Sequence, residues 1–535
     1  MNRSTACTRS LVPEATQTDC RANRKGRLVD SQRQHLQSGI VLVTFAAMSL
    51  VSLSIVAPAT RVTAAPPEPT LQPLFRVVDL DLGESTQVEL ADGSKALVKL
   101  IDVQETRDPI RNAVRRARVA VEVNGKSTTL DAANYQLPVT FAGVQIDCTI
   151  TKGYYSNTND DTWGLEKSSR LRLWPAGSPW MAPGTFVSPV KQRWFASGTQ
   201  FSNEPTFVDG GETPSSKKIY YHNDLDFGGC EALVEVVAAV DARVVSAANN
   251  VLPGFEGTPV RPRYDVVYLL DDRGWYYRNS HLHTIDVKPG DRVKMGQRIG
   301  LLGKEGGSGG WSHLHFGIVS RQPSAKWGTQ EAYAFAWEAY LREQKPAVLA
   351  IARPHQLILS GDTVTLDGTK SWAADVKPLR FEWTFTDGST AIGATVQRKY
   401  PSPGTYSEIL KVTDAAGHVG YDFADVQVIN RADPEKVAPT IQAAYAPSLN
   451  LKAGQVAMFK VRTFRTTHGE ERWDFGDGSP AVTVKSDGAV NKLAKDGFAI
   501  TEHRFGKPGN YLVRVERSNE RGEPAITHLW VPVEP

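Results

Sequence analysis

The chain has 535 residues, enough for three to four domains of about 150 residues each. Its 41% hydrophobic and 22% charged residues exclude wholesale disorder and a membrane protein with many spans. The formal net charge is +3, but residues 1–64 hold eight of the bases and only three of the acids, so the remainder carries 53 bases against 55 acids. This near-neutral remainder gives no electrostatic reason to expect nucleic acid as a partner.

The N-terminus has the pattern of an export signal. A basic leader precedes an apolar run at residues 39–57, and Val62-Thr63-Ala64 offers small residues at a signal-peptidase site. Residues 1–64 are therefore predicted to be a signal peptide. The alternative is an uncleaved signal-anchor, because about 19 apolar residues can span a bilayer and the leader is long. Either way, we expect the rest of the chain to be exported, to the periplasm, the cell surface or the extracellular space.

Two cysteines, Cys148 and Cys230, remain in the exported part. In an oxidising compartment they could form one disulfide, and two unpaired buried thiols are the alternative. Two thiols at this spacing cannot form a cysteine-rich metal site.

Residues 65–205 are predicted to form an N-terminal β-rich domain. Alternating apolar runs such as Leu97–Ile101 and Val119–Val123 are broken by turn residues such as Asn124-Gly125. No catalytic group is apparent, so its role stays open. Four tryptophans are interpreted as core residues: Trp163, Trp174, Trp180 and Trp194.

Residues 206–345 concentrate the histidines of the chain. Five of the eleven fall between positions 222 and 315. Residues 330–345 then read as an amphipathic helix that Pro346 ends, with Tyr333, Trp337, Tyr340 and Leu341 on one face.

These histidines have a spacing that suits metal binding. His313 and His315 are two apart, so on a strand both point to one face. His222 and Asp226 are four apart. Two imidazoles and one carboxylate suit zinc and leave a fourth position for water, which zinc activates for attack at neutral pH. A further histidine beside the metal could move protons or stabilise the oxyanion of the tetrahedral intermediate.

Four stretches of this segment, in order over about 110 residues, resemble the lysostaphin-type zinc metallopeptidases, which have a duplicated hybrid motif fold and cut peptidoglycan cross-bridges and stem peptides. They are HNDLDFGG at 222–229, YRNSHL at 277–282, VKPGDRVKMGQRIG at 287–300 and HLHF at 313–316. The resemblance implies zinc as cofactor and peptidoglycan as partner. It also implies His222, Asp226 and His315 as zinc ligands, and His281 and His313 as the catalytic pair.

The segment departs from the family pattern at two points, Asp224 and the Tyr-x-His spacing, which Asn279 and Ser280 loosen. Asp224 stands where the family has glycine; its carboxylate could add negative charge near the metal or point away. A second His-Leu-His occurs at 281–283, where His281 keeps the family distance to the following motif and His283 is interpreted as extra. The glycine-rich stretch 303–310 lacks a P-loop ending and is expected to let the backbone approach substrate.

The C-terminal third contains an internal repeat. WTFTDGS at 383–389 recurs as WDFGDGS at 473–479, and each copy is followed by an aromatic-x-x-Pro-Gly-x-Tyr element and an alternating strand. Such units describe small β-sandwiches. They resemble PKD domains over 347–431 and 437–533, which implies spacers or binding modules without catalysis. We therefore expect both to be dispensable for turnover of a short peptide.

Together these features predict a mainly β, multidomain protein. It has an N-terminal β-rich domain, an antiparallel β metallopeptidase domain and two immunoglobulin-like β-sandwiches. The predicted function is an exported zinc metalloendopeptidase that hydrolyses peptidoglycan peptides. The alternatives are a non-catalytic envelope scaffold with a metallopeptidase-like domain, and a protease of extracellular protein.

Overall fold

A computed structural model describes residues 66–132, 134–155, 162–202, 204, 221–375 and 379–535. The predicted signal peptide or anchor, with its apolar run at 39–57, lies outside the described residues. The described part contains no helix with the length and hydropathy that a membrane span requires. Almost all of its regular structure is β, as predicted.

The N-terminal domain consists of two four-stranded antiparallel sheets, ordered β1-β8-β7-β6 and β2-β3-β4-β5. Burial alternates along β3 and β4 of the second sheet, whereas β7 and β8 of the first are buried on both faces. The two sheets share a core that includes Val98, Val121 and Leu171. Its strands are β1 (Arg76–Leu80), β2 (Ser85–Glu89), β3 (Lys95–Arg107), β4 (Val114–Val123), β5 (Lys126–Ala132), β6 (Val139–Phe141), β7 (Val144–Thr151) and β8 (Ser169–Pro175).

The central domain is built on one large antiparallel sheet whose main path runs β13-β12-β14-β15-β19-β10-β9, with a small sheet β11-β18-β16 beside it. Its strands are β9 (Gln200–Phe201), β10 (Leu225–Gly228), β11 (Glu235–Val237), β12 (Ala242–Ala247), β13 (Asn250–Val251), β14 (Val267–Leu270), β15 (Tyr276–Ser280), β16 (Leu282–Ile285), β17 (Arg292–Val293), β18 (Arg298–Leu302), β19 (His313–Arg321) and β20 (Trp327–Thr329).

One α-helix, α1 (Tyr333–Gln344), closes the central domain within the predicted span. It begins where the Glu331 carboxylate accepts a hydrogen bond from the Tyr333 amide, and it ends at Lys345, whose φ of 45° is left-handed. Tyr333, Trp337 and Tyr340 are buried in the central core, as the predicted apolar face requires.

The segment before residue 202 contributes to two cores. Met181, Phe186, Val190 and Trp194 pack in the central core, and β9 pairs with β10 of the central sheet. The predicted division at residue 205 therefore falls inside the central packing unit. Trp163, Trp174 and Trp194 are buried and Trp180 is half-buried, in keeping with a core role for this set.

Two β-sandwiches follow the helix. The first consists of β21 (Val348–Leu349), β22 (Gln356–Leu359), β23 (Thr363–Asp367), β24 (Trp372–Ala373), β25 (Arg380–Thr384), β26 (Thr390–Ile392), β27 (Thr395–Lys399), β28 (Gly404–Thr413) and β29 (Val419–Ile429). The second consists of β30 (Thr440–Ala446), β31 (Val456–Phe464), β32 (Glu471–Asp474), β33 (Val482–Val484), β34 (Ala499–Arg504), β35 (Gly509–Ser518) and β36 (Pro524–Val533).

The repeated motif occupies the same place in both sandwiches. Trp383 and Trp473 are fully buried, one in each core. In the first copy the Asp387 side chain accepts hydrogen bonds from Ser389, and Gly388 takes a φ of 84° that closes the turn after β25.

Both cysteines of the described chain are free and buried. Burial raises the pKa of the Cys148 and Cys230 thiols to about 12. Of the two alternatives, the structure therefore shows unpaired buried thiols rather than a disulfide.

Candidate active site

The central sheet brings three of the predicted site residues together. Strand β10 runs antiparallel to β19, with Asp226 directly opposite His315. Residues paired in this way share one face of a sheet, and His313, two residues before His315, lies on that face as well. His222 lies four residues before Asp226, just ahead of β10.

The three predicted ligands meet at short distances. His222 Nε2 lies 3.1 Å from Asp226 Oδ1, and His315 Nδ1 lies 2.8 Å from the same oxygen. The two histidine nitrogens are 3.1 Å apart. All three side chains are buried, and together they form a group that could hold a metal ion.

Neighbouring charges shift the pKa values of Asp226 and His315 in this group. Burial acts to raise the pKa of Asp226, but the surrounding histidines, His222 first, hold it well below its ordinary value. Burial and Arg278 act to lower the pKa of His315, yet its bonds to Asp224 and Asp226 leave it raised. Asp226 is therefore an anion at neutral pH, which suits a metal ligand.

Asp224 contacts the outer nitrogen of His315. Its Oδ2 lies 2.9 Å from His315 Nε2, while Asn223 Nδ2 donates to its Oδ1 at 3.2 Å. Gly317 makes room for it, since a Cβ there would lie 2.3 Å from Asp224 Oδ2. The sequence left open whether this carboxylate lies near the metal or points away. It does neither, because it contacts the His315 nitrogen on the far side from the ligand group.

The predicted catalytic pair, His281 and His313, lies beside this group. Their ring centroids are 4.6 Å apart, and His313 Nε2 is 3.5 Å from Asp226 Oδ2. In each ring Nδ1 faces a backbone carbonyl, that of Glu305 at 2.6 Å and that of Trp311 at 3.2 Å. Because a carbonyl only accepts, we infer that Nδ1 carries the proton and Nε2 has a free lone pair.

Burial also keeps the pair neutral. It lowers the pKa of His313 to about 3, against the opposing effect of Asp226, and lowers that of His281 as well. Both imidazoles are therefore neutral at neutral pH, with one nitrogen of each ring unprotonated.

Asp265 supports His281 and was missed by the sequence analysis. His281 has a φ of 68° between β15 and β16, a left-handed conformation that costs energy outside glycine. Its backbone N–H donates to Asp265 Oδ2 at 3.0 Å, which helps to hold it there. Burial acts to raise the pKa of Asp265, but hydrogen bonds from His281 and Arg263 hold it below its ordinary value. No motif marks Asp265, because its role depends on a contact 16 residues away.

His283 lies outside the buried histidine cluster. Its side chain is 40% exposed, and Nδ1 is 4.0 Å from Glu231 Oε1. With Glu305 these residues form a second group of metal-binding side chains, but the Lys304 ammonium already pairs with the Glu231 carboxylate. The structure thus separates His283 from the buried histidines, and its interpretation as an extra histidine stays a prediction.

The glycine-rich stretch 303–310 packs against the protein itself. A Cβ at Gly303 would lie 2.5 Å from the His283 backbone nitrogen, so the close approach of these segments requires glycine. At the other end, Arg462 of the second sandwich donates to the Gly310 carbonyl at 3.0 Å. At these two positions the stretch contacts other parts of the protein, and not a surface open to substrate.

Comparisons with known proteins match three segments of this chain to families. Residues 220–326 match peptidase family M23, and residues 344–428 and 442–528 each match the PKD domain. The catalytic domain of the antimicrobial peptidase lysostaphin from Staphylococcus simulans is similar, with 24% identity over 26% of this chain and 90% of that one and a TM-score of 0.18. A second structure of that peptidase has 17% identity over 45% and 92% of the two chains and a TM-score of 0.21. An NMR structure of lysostaphin has 16% identity over 66% and 92% and a TM-score of 0.22.

The family match and the clustered histidines define the class of the central domain as a peptidase, a hydrolase of peptide bonds. More particularly, the chain carries a domain of peptidase family M23 followed by two PKD domains, the architecture that the motifs predict. We refer to these below as the M23 domain and the first and second PKD domains.

Proposed function

We propose that this chain is an exported zinc metalloendopeptidase that hydrolyses peptide bonds of cell-wall peptidoglycan. The observation that carries the proposal is the buried group of His222, Asp226 and His315 with the pair His281 and His313 beside it, all within the M23 domain.

The donor set fits zinc. Two imidazole nitrogens and one carboxylate oxygen are ligands that zinc takes in catalytic sites, where a fourth position stays open. Ligands about 2.0–2.1 Å from a tetrahedral centre are roughly 3.3 Å apart. The separations of 2.8 Å and 3.1 Å between these atoms are close to that distance.

When bound, zinc supplies the Lewis acid that activates water and polarises the peptide carbonyl. The chain's own residues do the proton transfers. The Nε2 lone pairs of His281 and His313 accept the proton that the attacking water loses. A protonated imidazole then donates to the oxyanion or to the leaving nitrogen. The carbonyls of Glu305 and Trp311 hold both rings in the tautomer that this requires.

Peptidoglycan as substrate and export as destination rest on the sequence. The four motifs resemble peptidases that cut wall cross-bridges and stem peptides, and the apolar run at 39–57 has the pattern of an export signal or anchor. The PKD domains would then act in the same compartment, as spacers or as modules that bind the wall.

Two other functions would use the same fold. A non-catalytic scaffold would use the M23 domain for binding without hydrolysis. A protease of extracellular protein would hydrolyse peptide bonds in a different substrate. No ligand or catalytic position of the family pattern is missing, which favours an enzyme over the scaffold.

The metal assignment can be tested by zinc content. Wild type, His315→Ala and His283→Ala are purified as full chains, loaded with zinc, dialysed and measured by elemental mass spectrometry. We expect one zinc per chain in wild type and in His283→Ala, and near none in His315→Ala with its fold intact by circular dichroism. Full occupancy in folded His315→Ala would reject the ligand set.

A further inference from the structure

A small cavity joins the ligand group to the first PKD domain. Its volume is about 40 Å³. Asp226 and His313 of the M23 domain line it together with Gln200, Trp311 and, from the first PKD domain, His355, Asp425 and Gln427. The wall of the active site therefore includes residues from a domain that the sequence treats as a spacer.

The sheet fixes how Gln200 enters this cavity. In the register of β9 and β10, Gln200 is directly opposite Asp226, which is in turn opposite His315 on β19. Residues paired across neighbouring strands share a face, so Gln200 lies in one row with two of the presumed ligands. On the PKD side, Asp425 and Gln427 are two apart on β29 and share a face as well.

Three polar atoms of the lining residues are buried without a protein partner. They are Gln200 Oε1, Trp311 Nε1 and Asp425 Oδ1. Gln200 is 6% exposed and Trp311 8%, and the Asp425 oxygen is shielded although a quarter of its side chain is accessible. Buried polar groups of this kind almost always have a partner, so these atoms indicate a polar occupant.

The pattern of donors and acceptors selects the chemistry of that occupant. An indole N–H donates, whereas the glutamine and aspartate oxygens accept. A carboxylate would meet two acceptors, and an ammonium would meet the indole donor. An amide satisfies both kinds of partner, since its carbonyl accepts and its N–H donates. A water needs at least about 10–15 Å³, so 40 Å³ suits a group of about three heavy atoms.

We propose that this cavity is a subsite for an amide group of the peptide substrate, next to the bond that is cleaved, and that the first PKD domain supplies part of it. The proposal rests on the proposed peptidase function for its biological meaning. The contacts that define the subsite do not depend on turnover, however, so binding can be measured without it.

The binding test uses formamide, an amide of three heavy atoms that matches the cavity volume, on the metal-free full chain labelled with ¹⁵N. The Trp311 indole resonance is assigned by its loss in Trp311→Phe, which keeps an aromatic ring against Phe464. We expect this resonance to shift in a saturable way with formamide and to remain unmoved by sodium formate at the same concentration. Equal or absent responses to both compounds would overturn the amide subsite.

The kinetic test uses soluble peptidoglycan fragments and the variants Trp311→Phe and Asp425→Ala. Asp387→Ala, at an exposed turn of the same PKD domain, is the matched control. Loss of one hydrogen bond is worth about 0.5–1.5 kcal/mol, so we expect KM to rise about 3- to 10-fold with kcat nearly unchanged and zinc retained. The control should match wild type.

Each other outcome has a distinct meaning. Unchanged KM in both variants means that the cavity holds only solvent. Faster cleavage in both means that the first PKD domain covers the site rather than binding substrate, and either result overturns the subsite. If wild type cleaves no fragment, the proposed function fails, while the amide titration still decides whether the cavity binds amides.

Discussion

At the scale of single residues, the pair His281 and His313 gives the sharpest functional prediction. Both rings lie beside the ligand group with free Nε2 lone pairs, so they should move protons without holding metal. Loss of a general acid or base typically costs about 10²–10⁴ in rate. We expect His281→Ala and His313→Ala each to keep zinc and lose at least about a hundredfold in kcat.

His283→Ala is the matched control for this pair, because His283 is exposed and stands outside the cluster. Its kcat should stay near wild type. Zinc loss in either of the first two variants would make that residue a ligand, and a large loss of kcat in His283→Ala would mean that the wrong histidine of the tripeptide was assigned.

Asp224 is predicted to position His315. A carboxylate on the outer nitrogen of a metal-bound histidine fixes its tautomer, and loss of such a partner typically costs 10–100-fold in metal affinity. We expect Asp224→Ala to weaken zinc binding by about that factor in competition with a chromophoric chelator. The ¹⁵N shift of His315 Nε2 in the metal-free protein should change, because this nitrogen loses the carboxylate at 2.9 Å. Asp272→Ala, at an exposed position of the same domain, is the control.

Zinc affinity of Asp224→Ala equal to wild type would show that the contact at 2.9 Å has no influence on the metal. The sequence identified Asp224 as a departure from the family pattern but not its partner. The contact depends on Gly317, which opens space across the sheet and carries no signal of its own.

At the scale of elements, strand β19 is held from outside its own domain. The Ser312 amide donates to Gln442 Oε1 at 2.8 Å, and Gln442 Nε2 donates to the Ser312 carbonyl at 2.7 Å. Both bonds are buried, immediately before His313. We expect Gln442→Ala to destabilise this strand end by about 1–3 kcal/mol, because the buried Ser312 amide loses its acceptor, while the Ser312 carbonyl keeps the Gly229 amide as a donor at 3.1 Å.

Hydrogen exchange at the Ser312 amide measures this directly, because that proton is the one whose acceptor is removed. The exposed Gln455→Ala of the same PKD domain should exchange like wild type. Protection at Ser312 that is unchanged in Gln442→Ala would mean that the M23 domain holds the strand by itself.

Elements with a strong local pattern could be predicted, whereas partners across domains could not. The helix follows from its apolar face and from Pro346, and Asp226 and His315 follow from motifs that define neighbouring strands. The apolar run around Phe186 and Val190 does not reveal which core buries it, because hydrophobic periodicity gives a face and not a partner.

At the scale of the whole molecule, the PKD domains are part of the site's surroundings rather than free modules. Trp311 stacks on Phe464 with centroids 4.7 Å apart, and Lys460 donates to the Glu231 carbonyl at 2.8 Å. The repeat predicted two sandwiches but not these contacts, because a repeat encodes each unit and not its neighbour. We therefore revise the expectation that both domains are dispensable, and expect a chain ending at Lys345 to lose activity on a short peptide too.

The junction of three domains is predicted to weaken as pH rises. Glu204 is buried there, where it accepts bonds from Tyr135 of the N-terminal domain and from the His355 amide of the first PKD domain. Burial raises the pKa of Glu204 from 4.5 to about 7. Between these two pH values the folded protein holds a proton that the unfolded chain releases. The contribution of this proton to the free energy of unfolding is therefore full below about pH 4.5 and is lost as the pH rises through about 7.

Thermal unfolding of Glu204→Gln against wild type isolates this effect from other titrating groups. Glutamine imitates the protonated acid, so we expect the variant to gain stability relative to wild type between pH 5 and pH 8. The exposed Glu520→Gln should show no such trend. A difference between Glu204→Gln and wild type that stays constant over this range would contradict the shifted pKa.

The central claim is that zinc-dependent peptide hydrolysis of peptidoglycan occurs at this site, and one digestion tests it most directly. Purified peptidoglycan and casein are each incubated with the zinc-loaded full chain or with His315→Ala, and the products are identified by mass spectrometry. We predict new peptide termini in peptidoglycan with wild type alone and few in casein. Intact peptidoglycan with wild type, or equal cleavage by His315→Ala, would contradict the account.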